Sequence, residues 1–362
     1  MRIELPISKS IANRWLILQA IHGDELMPVS DSIPDDVQIL HLALTALHNT
    51  TQSYTTLHLS NCGTAMRFLT AYAAQLENRV TILDGVERMH HRPIGQLVDA
   101  LREIGADIEY LGEEGFPPLR IKGCILDKHR IVTINHPQST QFVSALLLIG
   151  VNVQTDSTSP YITLTRKMIK NKEQGTKNKD KLLTTDQTQV TNLGSLVLAP
   201  YSEIERDWSS AAFWYEYVAL HGGEIKLPGL HKGSLQGDKV VADIFARLGV
   251  STQYTEEGIR IYRSQAILNS KFLILNFSAC PDLYPAVALT CERLGIGLHA
   301  TGTDSLPLKE SDRLRAVREH RTDQDHRMAM ALLIAGYEVD DTACISKSYP
   351  QFMEYFRQLQ GM

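Results

Sequence analysis

A short pattern occurs twice in this chain of 362 residues, and it restricts the folds that could hold it. Asp99, Leu101, Ile104, Gly105 and Tyr110 recur, at one constant offset, as Asp243, Phe245, Leu248, Gly249 and Tyr254. The first set is followed by a turn at 112–115 and the run Leu119-Arg120-Ile121, the second by Glu256-Glu257-Gly258 and Ile259-Arg260-Ile261. Each copy reads as helix, glycine stop, strand, glycine turn, strand. A repeated α-β-β unit in both halves argues for two similar α/β domains over one large sheet. The length allows each domain its own core.

Charge and cysteines narrow the function classes. A net charge of −5 gives no electrostatic case for nucleic acid or an anionic membrane as partner, so any cationic site must be local. The five cysteines are scattered, with no CxxC pair. They read as reduced thiols of a cytoplasmic protein, with neither a disulfide framework nor a zinc site. No apolar leader opens the chain, and the longest apolar run, near Ala145–Leu148, is too short to span a bilayer. Neither a GxxxxGK[ST] nor a GxGxxG fingerprint is present, which weakens nucleoside triphosphate and dinucleotide readings.

What recurs instead is one kind of helix start. Ser8-Lys9-Ser10-Ile11-Ala12-Asn13-Arg14 opens the helical pattern Ile11, Trp15, Leu18, Ile21. Free N–H groups, the positive helix end, a lysine, a serine and an arginine converge there, a setting for phosphate or carboxylate. Asn61-Cys62-Gly63-Thr64-Ala65-Met66-Arg67 repeats the arrangement, with Gly63 allowing close approach to the backbone. Arg88 precedes another helix, and Gln138-Ser139-Thr140-Gln141 opens a strongly apolar one. Lys309-Glu310-Ser311-Asp312-Arg313 and Asp325-His326-Arg327-Met328 are too charge-dense for ordinary solvated faces, and Lys347 precedes the last helix. Seven cations at helix starts suit a small, highly anionic ligand. Glu310 and Asp282 are the carboxylates available for proton transfer. Asp35-Asp36 reads as a helix cap, the lysine-rich stretch Ile169 to Asn192 as a surface loop, and Tyr201–Arg206 as a crossing strand at the domain boundary.

Together the sets SKS…NR, N-x-GTAMR, KESDR and DHRMAM, in this order along nearly the whole chain, resemble the 5-enolpyruvylshikimate-3-phosphate (EPSP) synthase family. The resemblance implies two similar domains of repeated βαβαββ units, an inside-out α/β barrel whose helix N-termini point into an interdomain cleft. Residues 8–206 would form the shikimate-3-phosphate-binding domain, and 1–7 with 207–362 the second. The implied reaction transfers the enolpyruvyl group of phosphoenolpyruvate to the 5-hydroxyl of shikimate 3-phosphate, releasing phosphate, in aromatic amino acid biosynthesis. It needs no cofactor and no metal; the partners are these two small molecules, and a monomer is expected. By matching position, Ser139, Thr140 and Tyr161 would hold the shikimate phosphate, and Ser10, Arg14, Gln141, Asp282 and Lys309 its ring. Lys9, Arg88, Arg313, Arg327 and Lys347 would grip phosphoenolpyruvate, with Gly63 and Gln141 at its edge. Lys9, Asp282 and Glu310 would be catalytic, Asp282 taking the 5-hydroxyl proton and Glu310 protonating the methylene carbon.

The sequence also departs from the family. Cys62 replaces the usual alanine and Thr140 a serine; Thr158 and Ser305 stand where serine and asparagine are common, and a leading strand is missing. Only residues 314–324 separate Arg313 from Asp325, where the family has several dozen. The third copy of the strand pair is thus absent, and a short mobile bridge at Arg318–Gln324 is expected to join the two helix starts. Two other readings follow: a truncated paralogue that binds shikimate 3-phosphate without turnover, and the sister transferase acting on UDP-N-acetylglucosamine. The second is disfavoured because residues 84–95 lack the cysteine that it carries.

Overall fold

The two copies of the repeat become two matching sheets in the computed structural model of the chain, which describes residues 1–50, 52–182, 204–264 and 271–361. The first copy is α4 (Gly95–Glu103), β3 (Asp107–Tyr110) and β4 (Leu119–Lys122). These strands join β1 (Tyr54–His58) and β2 (Val80–Asp84) in the order β1-β2-β4-β3. The pair β1–β2 is parallel and the other pairs are antiparallel. The second copy, α8 (Val241–Ala246), β8 (Val250–Tyr254) and β9 (Gly258–Arg263), pairs with β7 (Glu224–Pro228) in the order β7-β9-β8. Arg2 forms an isolated parallel bridge with Lys226, so the N-terminal run lies beside β7 as β1 lies beside β2. The glycine stops follow from backbone sterics. Gly105 and Gly249 have φ of 97° and 85°, a region that disfavours any side chain with a Cβ.

The chain divides into two units. A C-terminal unit takes Met1–Lys9, Ser30–Gln38 and Glu205–Met362, and an N-terminal unit takes Ser10–Val29 and Ile39–Ile204. Ser8, Lys9 and Ser30–Gln38 thus sit with the C-terminal unit, outside the grouping that a cut at residues 8 and 206 gives. Helices lie inside both units. In the N-terminal unit α3 (Gly63–Ala74) is buried at Ala65 through Ala74, and α5 (Thr140–Leu148) from Phe142 onward. In the C-terminal unit α7 (Trp208–His221) carries Trp208, Phe213, Trp214 and Tyr215 into the core against α9 (Tyr284–Leu294) and α11 (His326–Ile334). Helices apolar on every side can only be interior ones.

The lysine-rich stretch differs from its expectation. Helix α6 runs Pro160–Leu182, so Ile169 to Leu182 is helical and not a loop; the rest of that stretch, 183–192, lies outside the described residues. Proline suits the first helical turn, and Ile162, Thr165 and Lys172 continue one buried stripe. Lys172 can be buried because its ammonium meets Asp24 and lies 5.2 Å from the ring centre of Trp15 on α1 (Lys9–His22).

β10 (Phe272–Asn276) and β11 (Gly297–Thr301) form a parallel pair, as β5 (Ile131–Thr133) and β6 (Asn152–Gln154) do in the N-terminal unit, and among the described residues neither pair has a further strand; Phe272 and Ile274 are more than half exposed. After α10 (Arg313–Glu319) the chain turns at His320, whose φ is 52°, and re-enters a helix at His326. This bridge is well tied. His320 stacks on Tyr337 with ring centres 4.0 Å apart and bonds Glu292, Thr322 is buried and donates to Asp340, and both Arg315 and Arg321 hold Asp323.

Because α6 depends on a buried charge, Lys172→Ala should cost about 1–3 kcal/mol, leaving Asp24 without its ammonium and Trp15 uncovered. Lys172→Met keeps the stem and should lose less. Urea denaturation of the three proteins checks this, and an unchanged midpoint for the alanine variant would contradict it.

Candidate active site

The helix starts of the C-terminal unit bring its charged residues together. Asp325 caps α11, its Oδ1 accepting from the Arg327 N–H at 2.9 Å, while its Oδ2 accepts from Arg313 Nε at 2.8 Å and from Ser311 Oγ at 3.2 Å. Asp312 caps α10 through the Arg315 N–H, which sets Arg313 as the first residue of that helix. Arg313 then reaches three carboxylates: Asp325, Asp282 at 2.7 Å and Glu310 at 3.1 Å. Its side chain is 1% exposed. Asp282, in the one-turn helix Pro281–Leu283 ahead of α9, also takes Arg327 Nη2 at 3.0 Å and Lys309 Nζ at 3.3 Å. Glu310 in turn meets Lys347 Nζ at 3.4 Å. Lys9 bonds Asp36 at 2.7 Å. Asp36 is therefore more than the cap it resembles in sequence; it is buried beneath the lysine.

Each charge is set by its neighbours. Burial opposes ionisation of Asp282, but Arg327, Lys309 and Arg313 outweigh it and hold the carboxyl well below the usual range. Burial would likewise lower Lys9, and the Asp36 carboxylate reverses that, leaving Lys9 raised. Lys309 is lowered by burial, in part offset by Asp282. His326 is fully buried, and neither ring nitrogen has a hydrogen-bond partner. Burial first, then Lys9 and Arg327, push it well below its ordinary value, so it is neutral.

The N-terminal unit gathers a second set. Ser139 caps α5, accepting from the Gln141 N–H, with Thr140 as the first helical residue. The Gln141 side chain donates to Thr64 at 2.8 Å and accepts from Arg67 at 2.7 Å. Arg14 is buried on α1, donating to Thr165, Ser144 and the Ser10 carbonyl, with the Tyr161 ring 6.0 Å away. Burial lowers its pKa to about 10, so it stays charged at neutral pH.

Gly63 begins α3, and a Cβ there would lie 2.5 Å from Arg92 Nη2. Arg92 is buried and donates to both the backbone and side-chain oxygens of Asn61. Arg88 lies half-buried in the short helix Glu87–His91. Arg92 was thus the cation that sequence reasoning passed over. A signal existed: it precedes Pro93, which favours an extended backbone, and its φ and ψ are −98° and 117°.

Nearly the whole chain matches one family model, that of EPSP synthase (3-phosphoshikimate 1-carboxyvinyltransferase), in two stretches, residues 1–320 and 318–356. The chain belongs to the EPSP synthase family. The break between the stretches falls at the short bridge before α11. A 3-phosphoshikimate 1-carboxyvinyltransferase from Bacteroides fragilis is 36% identical over 402 aligned positions, covering 98% of this chain and 94% of that protein. One from Vibrio cholerae is 31% identical, covering 99% and 96%. Alignments longer than the 362 residues of this chain mean that both relatives carry residues it lacks. An EPSP synthase structure from Acinetobacter baumannii shares the fold with a TM-score of 0.66 at 19% identity, covering 99% of this chain and 95% of that one. This confirms the inside-out α/β architecture expected from sequence. Among the described residues no helix is long and apolar enough to cross a membrane, and no three His, Cys, Asp or Glu side chains are grouped to hold a metal ion.

The neutral His326 has a consequence for stability. The unfolded chain binds a proton there below pH ~6.5 while the folded chain does not, so stability falls as pH drops through that value, by at most about 1.4 kcal/mol per pH unit. His326→Leu removes this dependence. The stability difference between the variant and the parent should therefore shift in the variant's favour from pH 7 to pH 5, by denaturant titration. A pH-independent difference would contradict it.

Proposed function

We propose that this chain transfers the enolpyruvyl group of phosphoenolpyruvate to the 5-hydroxyl of shikimate 3-phosphate and releases phosphate, the activity for which its family is named. The observation that carries the reading is the wiring of Arg313. One buried guanidinium holds both Asp282 and Glu310, the two carboxyls that the reaction needs as proton acceptor and proton donor.

Those carboxylates neutralise the cations around them. Phosphoenolpyruvate brings its own phosphate and carboxylate, which compete for Lys9, Arg313, Arg327 and Lys347. Freed of its cations, Asp282 regains the basicity to take the 5-hydroxyl proton. Glu310, likewise released beside a bound anion, takes up the proton that it delivers to the methylene carbon. Attack of O5 on C2 then gives a tetrahedral intermediate, whose charge the same cations stabilise. Proton transfer in the reverse direction from the methyl group expels phosphate.

The remaining roles follow the same chemistry. Ser139, Thr140 and Tyr161 hold the shikimate phosphate at the starts of α5 and α6, and Ser10, Arg14, Gln141 and Lys309 the ring. Arg92, set against Gly63, joins Arg88 in gripping phosphoenolpyruvate, and Gly63 is required because a side chain there would displace the Arg92 guanidinium. The survival of Arg313, Asp325 and Arg327 on both sides of the short bridge supports turnover over a merely binding paralogue.

Glu310→Gln keeps the shape but not the acid, so turnover should fall ~10²–10⁴-fold while both substrates still bind. Lys9→Ala should weaken phosphoenolpyruvate binding and turnover together, since its cation serves substrate and intermediate alike. Steady-state phosphate release with calorimetry separates the two, and a Glu310→Gln variant retaining most of its rate would remove Glu310 as donor.

A further inference from the structure

Gln236 has no part in the mechanism above, yet its side chain joins two segments of the C-terminal unit, residues 6–8 and 205–208, that border the N-terminal unit in sequence. It is buried, just ahead of the short helix Gly237–Val240. Its Oε1 accepts from Ser8 Oγ at 2.9 Å and from the Trp208 N–H at 3.2 Å, and its Nε2 donates to the Arg206 carbonyl at 2.8 Å. The orientation of the amide is fixed, because a backbone N–H can only donate and a carbonyl can only accept. The two segments also pair with each other: the Ser8 N–H donates to the Glu205 carbonyl at 2.8 Å, and the Asp207 N–H to the Pro6 carbonyl at 3.0 Å. Gln236 is itself held. Its N–H donates to Ser234 Oγ at 3.1 Å, and that hydroxyl donates to Glu205 at 2.9 Å. Ser8 is the last residue before α1 and Lys9 the first within it, with the Lys9 ammonium 2.7 Å from Asp36.

We propose that Gln236 is a positioning residue for Lys9: its amide fixes Ser8, and through Ser8 the first residue of α1 and the cation that it carries. The inference rests on the reading of Lys9 as a phosphoenolpyruvate ligand. A lysine is a point charge on a long flexible stem, so the place of its ammonium depends on how firmly the backbone beneath it is held. When phosphoenolpyruvate takes the place of Asp36, that backbone sets where the charge lies. Ser8 anchors it twice, by its N–H on Glu205 and by its hydroxyl on Gln236. The residues assigned to shikimate 3-phosphate have anchors of their own. Arg14, further along α1, is held by Thr165 and Ser144 and in turn holds the Ser10 carbonyl, and Ser139 caps α5. Gln236 therefore bears on one substrate and not on the other.

Gln236→Met keeps the length of the side chain and loses all three bonds, whereas Ser8→Ala cuts only the one to the start of α1. Both should raise KM for phosphoenolpyruvate about 10-fold and leave the calorimetric Kd of shikimate 3-phosphate within about 2-fold of the parent value. The double variant should raise KM for phosphoenolpyruvate no further than Gln236→Met does alone, since one residue acts through the other. A purely structural role would lower kcat with the folded fraction and leave KM for phosphoenolpyruvate as it is. That result overturns the proposal, as does an equal loss for both substrates or an additive rise in the double variant. If Gln236→Met fails to fold, Ser8→Ala decides the matter by the same KM and Kd. Lys9→Ala separates the two levels. A wild-type KM for phosphoenolpyruvate in Lys9→Ala removes the underlying reading; a raised one there, with wild-type values in Ser8→Ala and Gln236→Met, removes only this inference.

Discussion

Burying Arg313 and Arg327 in one place is the constraint on which the C-terminal unit depends. An isolated ion in a protein interior costs several kcal/mol, and leaving it unpaired is worse than never placing it there. The unit answers with carboxylates that each serve two purposes. Asp325 caps α11 and holds Arg313; Asp282 stands ahead of α9 and takes three cations; Asp36 lies at the start of α2 (Asp35–Asn49) and holds Lys9. Such pairs add little net stability, because desolvation offsets attraction. What they provide is a set of cations held in position, ready to exchange protein carboxylates for the anionic groups of a substrate.

The same ion pairs explain how the chain tolerates a shortened repeat unit. Arg313 and Ser311 lie before the bridge and Asp325 after it, so their bonds clamp the two ends of the segment together. The strand pair that follows β2 and β7 in their sheets has no counterpart beside β11 among the described residues, and Phe272 and Ile274 on β10 are exposed. The loss thus falls on the sheet, while the helix starts that bear the charges remain. Thr322, buried on Asp340, and His320, stacked on Tyr337, make the replacement bridge a packed element.

Much of this was legible in the sequence because it depends on local rules. The helix start at Ser139, the glycine stops at 105 and 249, and the repeat itself follow from nearest-neighbour chemistry and periodicity, whereas Asp312 and Asp325 read only as members of charged clusters and prove to be helix caps. The failures share a different cause. Helix α6 was hidden by its lysines, since burial of Lys172 depends on Asp24 and Trp15, far away in the chain. Asp36 looked like an ordinary cap until Lys9 was placed on it, and Arg92 was overlooked beside the more conspicuous Arg88. Gln236 and His326 give no local sign of their burial. Charges that matter through partners distant in sequence cannot be read from spacing.

The central claim is that the shortened chain still carries a working set of proton donor, proton acceptor and cations. Phosphate release by the purified protein, measured with phosphoenolpyruvate and shikimate 3-phosphate together and with each alone, tests it most directly. The account predicts catalytic, multiple-turnover release only when both are present. Release of no phosphate by a folded protein that still binds shikimate 3-phosphate would contradict it.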